Sequence, residues 1–429
     1  MAILGITKAK SYKRIPGLTS YISGMSKALP YLKPDKALLL QSSTVLIVCA
    51  MIDLFPGFFL GTFERYLELV PGLLILLPAT VGLRGNTFGA LAARLGSKLH
   101  LGTLDTSFRK NKVLRDQVLA STIQLMLLST VIPLVGGMFA WILSLEIAPI
   151  HHLMLISMLG AILSGVFMFA ISLAITFVSF RKGWDPDNVS APIIASAGDI
   201  LTIPIMFFAA WLTVNMSHDL LLVTSYTMFV AIILLILFSF VLVKGAHRPI
   251  LRNAIPIALF AVLLSSVSGI ILEGNFSNFF KGTVFLLLVP AFNGQGGSIG
   301  SILGSRLTSA AYLGTSKLTG KPSHLGVNSS FTLWLISLVV FSLMAGGALV
   351  LGILSGAEVV QFPELLITML LGATLVTAFS TSVAYYTAYL SFRLGWDPDN
   401  VVIPLLTASM DIVGSGALIV GILATQLLF

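Results

Sequence analysis

The stretch Trp184-Asp185-Pro186-Asp187-Asn188-Val189 recurs without change as Trp396-Asp397-Pro398-Asp399-Asn400-Val401. The agreement extends outward on both sides. Arg181 and Gly183 precede the first copy, and Arg393 and Gly395 precede the second. A proline follows each copy (Pro192, Pro404), and then a lone aspartate inside an apolar run (Asp199, Asp411). Every one of these pairs has the same 212-residue separation. A single offset shared by so many residues is the signature of duplication. The chain reads as two copies of one unit, and both copies keep the acid seven residues past the proline.

Composition decides what kind of unit this is. Of the 429 residues, 56% are hydrophobic and only 10% are charged, and the mean hydropathy is +0.99. Soluble domains carry about 25% charged residues, so the chain reads as an integral membrane protein. Its apolar runs are about 20–28 residues long and do not alternate, which suits spanning helices and not barrel strands of about 10 residues. The expected class is therefore an all-α polytopic membrane protein. Cys49, the single cysteine, excludes a disulfide framework and a paired-cysteine metal site. The net charge of +8 reads as basic cytoplasmic loops and not as nucleic-acid binding. The first 37 residues are basic and poorly hydrophobic, unlike a cleavable signal. They read as a cytoplasmic segment held inside by its charge.

Eleven spans are expected, at about 38–60, 67–98, 117–144, 153–179, 189–214, 220–243, 254–272, 282–315, 330–355, 364–391 and 401–428, from the length that a bilayer requires. Lys and Arg collect after the second, fourth, sixth, eighth and tenth spans, for example Arg109, Lys110, Lys112 and Arg115. The positive-inside rule then places the N-terminus in the cytoplasm and the C-terminus outside, in a multi-pass protein of the cell membrane. Each unit holds five spans, 38–214 and 254–429. An odd number would invert the second copy, and the linking span within 215–253 restores its direction. The two repeats are thus expected to be parallel, as in a fused pseudo-dimer with an axis along the membrane normal.

The second span of each unit carries Pro and several Gly: Pro78, Gly82, Gly85 and Gly89 in one, Pro290, Gly294, Gly296, Gly297 and Gly300 in the other. Arg84, Asn86, Asn293 and Gln295 add polarity. Broken helices at matched positions of two repeats point to a transport site, whereas small residues alone also serve close packing. We expect these spans to be broken around a wet cavity.

Asp199 lies eleven residues past Asn188, about 16 Å along a helix, which puts it near the centre of a core about 30 Å thick. Asp411 does the same in the second copy. A charge at that depth costs about 3 kcal/mol or more and needs a partner or water. Thr407 and Ser415 lie one turn to either side of Asp411, and Thr202 follows Asp199 by three. Two carboxylates, hydroxyls and the amides of Asn86 and Asn293 form an all-oxygen set suited to a hard divalent cation. Mg2+ is the first expectation, with Mn2+ or another divalent ion as the alternative cargo. Asp187 and Asp399 read either as a cytoplasmic mouth or as plain helix-initiating residues. Asp53 is matched by Ser265 and so reads as lying outside a symmetric site.

Pro78 with Gly82–Asn86, Arg94 and the following Leu-Gly-Ser-Lys segment resembles the membrane region of the MgtE and solute carrier family 41 magnesium transporters. Pro290–Gly314 resembles it more closely, and the Trp-Asp-Pro-Asp-Asn segments match the last helix of each family unit. The resemblance implies Mg2+ transport, with Asp199 and Asp411 as the pore acids at the interface of the two units. Bacterial members carry large cytoplasmic sensing domains, which residues 1–37 are too short to form. An exchanger coupled to Na+ or H+ is the alternative within transport. An intramembrane aspartyl enzyme is remote, because the glycine-flanked second aspartate of that class is missing.

Overall fold

The computed structural model describes residues 35–100, 104, 111–182, 186–242, 247–280, 283–312, 314, 316–395 and 398–427. Eleven long helices fill this set: α1 Lys36–Thr62, α2 Leu73–His100, α3 Lys112–Ile142, α4 Ile150–Arg181, α5 Pro186–Val214, α6 His218–Leu242, α7 His247–Asn275, α8 Phe285–Tyr312, α9 His324–Ser355, α10 Phe362–Leu394 and α11 Pro398–Gln426. They fall one to one on the eleven expected spans. Ten are long and apolar enough to cross a membrane; the exception among them is α8, diluted by its glycines, serines and amides. The expected second span begins too early. A short helix, Glu64–Leu69, ends at Val70, and Gly72 with φ of 89° turns the chain into α2.

Helix ends follow local chemistry. The Asn111 side chain accepts from the Val113 N–H at 2.8 Å and starts α3. Ser323 caps α9 through the Gly326 N–H at 3.2 Å. Gly356 and Gly395, with φ of 74° and 70°, close α9 and α10 in the left-handed conformation that only glycine adopts without cost. Within the repeated motif, Pro186 and Pro398 are the first residues of α5 and α11. Proline suits that position because the N–H it lacks would have no helical partner there. The motif therefore starts a helix in each half. Trp184, Asp185, Trp396 and Asp397 lie outside the described residues.

The second helices are not broken, against expectation. Both α2 and α8 run through their prolines and glycines as continuous helices. Pro78 and Pro290 each stand only five residues into their helix. The carbonyls freed there belong to the first turn, so little of the hydrogen-bond ladder is lost. Side chains also cover backbone groups nearby: Thr80 Oγ1 donates to Leu77 O at 2.9 Å, and Ser380 donates to Gly296 O.

Each half lends its first helix to the other. α1 packs on α8 and α9, and α7 packs on α2 and α3. Glycines make the approach possible at positions related by the repeat offset. A Cβ added at Gly57 would run into the backbone carbonyl of Leu287, and one at Gly269 into that of Ile75. Small residues let helices meet backbone to backbone where lipid offers no hydrophobic drive for association. The linking helix α6 stands outside this exchange. It leans on α3 and α4 and exposes Val223, Tyr226, Val230 and Leu234, the outward apolar face expected against lipid.

Candidate cation site

α5 and α11 place their acids at the same depth. Asp199 and Asp411 each stand thirteen residues after the first residue of the helix and fifteen before the last. Asp199 and Asp411 are both partly exposed, as are Ile200, Leu201, Ile412 and Val413 beside them, while Ile194, Met206, Leu406 and Met410 are buried.

Around Asp411 the polar groups form a ladder drawn from three helices. Ser265 on α7 donates its hydroxyl hydrogen to Asp411 Oδ2, and Ser268 donates to the Asp411 backbone carbonyl. Ser268 Oγ lies 3.0 Å from Ser415 Oγ. The Asn293 side-chain amide on α8 approaches Ser415 Oγ at 3.4 Å. Gly414 is what lets Asn293 come this near, since a Cβ there would overlap Asn293 Oδ1. Of the expected site residues, the fold therefore brings Asp411, Ser415 and Asn293 together. Thr407 donates its hydroxyl to Pro404 O at 3.1 Å, and its methyl group faces Gly297 on α8.

α2 closes over this ladder from the first half. A Cβ at Gly82 would lie 3.6 Å from Ser265 Oγ and 3.8 Å from Asp411 Oδ2. Further along the same face, a Cβ at Gly85 or Gly89 would meet nothing within 4 Å, and Asn86 beside them is partly exposed. The glycines of the two second helices thus do different things. Those of α8 serve packing: a Cβ at Gly296 would crowd Met410 and Val376 at 3.0 Å, and one at Gly300 would clash with Ser380 and Leu406. Gly85 and Gly89 of α2 front open space.

Around Asp199, a Cβ added at Gly198 would lie 3.8 Å from the Gly85 backbone nitrogen of α2. Thr202, one turn on, is fully buried, and its hydroxyl has no hydrogen-bond partner among the described residues. α5, which carries Asp199, packs against α1, which carries Asp53.

Arg84 departs from the expected cavity lining. It is fully buried and turned away toward α4, donating to Ser164 Oγ and to Thr80 O at 2.6 Å. Its role is helix-to-helix bonding within the first half. Asp187 and Asp399 fall in the first turn of α5 and α11; the placement of their side chains, and so a mouth made by them, lies outside the described residues. Among those residues, no group of three or more His, Cys, Asp or Glu is close enough to hold a metal ion directly. Sequence reasoning missed Ser265 and Ser268. The offset that pairs Ser265 with Asp53 was the available signal.

Duplicated helices, crossed first helices and acids at matched helix positions define a membrane protein built from two like units. Residues 77–209 and 289–421 each match the family model MgtE, described as a divalent cation transporter. The chain belongs to that family. The matched ranges differ by the same 212 positions as the repeated motif, and a transporter family lends nothing to the aspartyl-enzyme reading. The chain is similar to solute carrier family 41 member 2 of Xenopus laevis, at 25% identity over 80% of this chain and 64% of the relative. Member 2 of Homo sapiens is 26% identical over 80% of this chain and 62% of the relative. Member 3 of Mus musculus is 24% identical over 96% of this chain and 85% of the relative. The chain thus spans less than two thirds of the member 2 proteins it matches. No solved structure matches it.

Proposed function

We propose that this protein carries divalent cations, Mg2+ first among them, across the bilayer along a path between its two halves. Asp199 and Asp411 hold the ion near the membrane centre. The carrying observation is that these two acids stand at identical helix positions in the two halves and that both are partly exposed within the bundle. Two unneutralised carboxylates in a bilayer are costly, about 3 kcal/mol or more each. A divalent cation between them removes that cost. Mg2+ sheds its waters reluctantly, so a site with few direct ligands and several hydroxyls and amides suits an ion that keeps most of its shell. Ser415, Asn293, Asn86 and Thr202 supply those secondary contacts, with Thr407 beside them.

In this reading, 38–214 and 254–429 are two five-span halves acting as an internally fused pseudo-dimer, and the linking helix within 215–253 keeps them parallel. The basic loops face the cytoplasm with the N-terminus, and the C-terminus faces outward. The test is Mg2+ flux into proteoliposomes for Asp199→Asn and Asp411→Asn. Each substitution is expected to abolish flux while the protein remains monodisperse in detergent. Wild-type flux in the double variant would refute the assignment.

A further inference from the structure

We propose that Asp53 on α1 is a third cation-contacting carboxylate, which makes the two halves of the ion path unequal in charge. This rests on the cation-transport reading above and deepens it.

The argument begins with a pair of equivalent contacts. Gly82 of α2 faces Ser265 of α7, and Gly294 of α8 faces Asp53 of α1, where a Cβ would come 2.8 Å from Asp53 Oδ2. Gly82 and Gly294 are one repeat offset apart, and so are Asp53 and Ser265. The two first helices therefore occupy equivalent places. In the second half that place touches the central acid, because Ser265 hydrogen-bonds Asp411. In the first half the same place is filled by a carboxylate, on the helix α1 that packs against α5, which carries Asp199. Serine at this position supplies one donor to the acid. Aspartate supplies a second acid in place of a donor, and when both acids are ionised they repel each other unless a cation lies between them.

A second observation points to the missing partner. Asp53 is only 5% exposed, and its carboxylate receives the Gln295 Nε2–H at 3.1 Å. The other end of that same amide, Gln295 Oε1, is fully buried and has no hydrogen-bond partner among the described residues. An orphan acceptor beside a carboxylate is an arrangement that a cation or its bound water satisfies and that apolar packing does not. The three acids do not converge tightly enough to grip a bare ion. Asp53 is thus expected to meet the cation through its retained water, drawing it off the axis toward the first half.

Asp53→Asn tests this, because it keeps an oxygen for Gln295 and removes the charge. Mg2+ uptake by the full chain in proteoliposomes is expected to show a KM raised about tenfold or more, as loss of one nearby charge requires. Mg2+ titrated into the detergent-solubilised protein should show matching weakening by calorimetry. Adding Ser265→Asp to Asp53→Asn returns the charge at the equivalent place and is expected to bring KM back to within about threefold of wild type. If Asp53→Asn misfolds, Asp53→Ser, which copies the second half, takes its place in both arms. An unchanged KM overturns the proposal. So does a loss that Ser265→Asp fails to restore and that Gln295→Leu reproduces, since Asp53 is then a packing residue. Asp199→Asn, run alongside, separates the readings: if it too transports normally, the central site itself is wrong; if it alone fails, only the role of Asp53 falls.

Discussion

Ser265 on α7 donates its hydroxyl hydrogen to Oδ2 of Asp411 on α11, and Gly82 from the other half closes over both. The contact ties a residue with no sequence motif to the acid that stands out most plainly in the chain. The Ser265 hydroxyl supplies a hydrogen bond to the carboxylate, with no basic partner hydrogen-bonded to it among the described residues.

Ser265→Ala removes that hydrogen bond. A hydrogen bond to a charged group is worth roughly 1.5–3 kcal/mol when its loss leaves the charge unpaired. The ion-free protein should therefore unfold at a lower temperature in detergent than wild type. Saturating Mg2+ should recover more of the difference than it adds to wild type, because bound cation then supplies the missing partner. Differential scanning fluorimetry with and without Mg2+ measures both. Equal shifts in the two proteins would show that the cation does not reach Asp411.

Gly57→Val and Gly269→Val should fail alike. Each new side chain would meet a backbone carbonyl, of Leu287 or of Ile75, and a carbonyl in a packed helix has nowhere to go. Overpacking typically costs about 1–3 kcal/mol, and a clash with backbone belongs at the top of that range. Loss of the monodisperse peak in size-exclusion chromatography is the readout. A variant at one position that behaves like wild type, while its counterpart aggregates, would contradict the crossed arrangement of α1 and α7.

Gly85→Ala and Gly89→Ala should do the opposite. A Cβ at either site meets nothing within 4 Å, and alanine favours the helix by about 0.8–1 kcal/mol over glycine. Thermal stability should hold or rise. If the open face of α2 lines the ion path, Gly89→Leu should also fold normally yet slow Mg2+ flux in proteoliposomes. Unchanged flux with a leucine there would move the path away from this face.

Glu273→Ala should loosen one end of the bundle. Glu273 Oε1 accepts the Gly72 N–H at 2.8 Å, so the end of α7 caps the entry to α2 across the two halves. Loss of a cap costs typically about 1 kcal/mol, with a further few tenths from the carboxylate's attraction to the helix N-terminus. Hydrogen exchange in the first turn of α2 should quicken, while the repeat-related entry to α8 stays protected, because Gly61 stands where Glu273 does in the other half.

Much of the fold was readable before any coordinates. A spanning helix satisfies its own backbone and must present about 20 apolar residues, so length and hydropathy locate each span on its own. Eleven helices accordingly appear where eleven spans were expected, and one repeat offset places Asp199 and Asp411 at equal depth. The unbroken α2 and α8 were not readable. A proline costs little in the first turns and much in the middle, and the start of α2 depended on a turn at Gly72 that composition does not mark.

The sequence by itself determined the duplicated, all-helical membrane architecture and the matched helix positions of its two lone acids, because those depend only on local apolar length and on an offset that counting reveals. Tertiary structure alone decided what meets what. Nothing local says that α1 belongs beside α8, that Gly85 fronts open space while Gly300 is packed shut, or that Arg84 is buried against Ser164 of α4. The standing of Asp53 is the clearest case. Counting set it aside because its counterpart is a serine; packing shows that this serine touches Asp411. Which face of a helix looks inward is set by neighbours far away in the chain, and only the assembled bundle contains them.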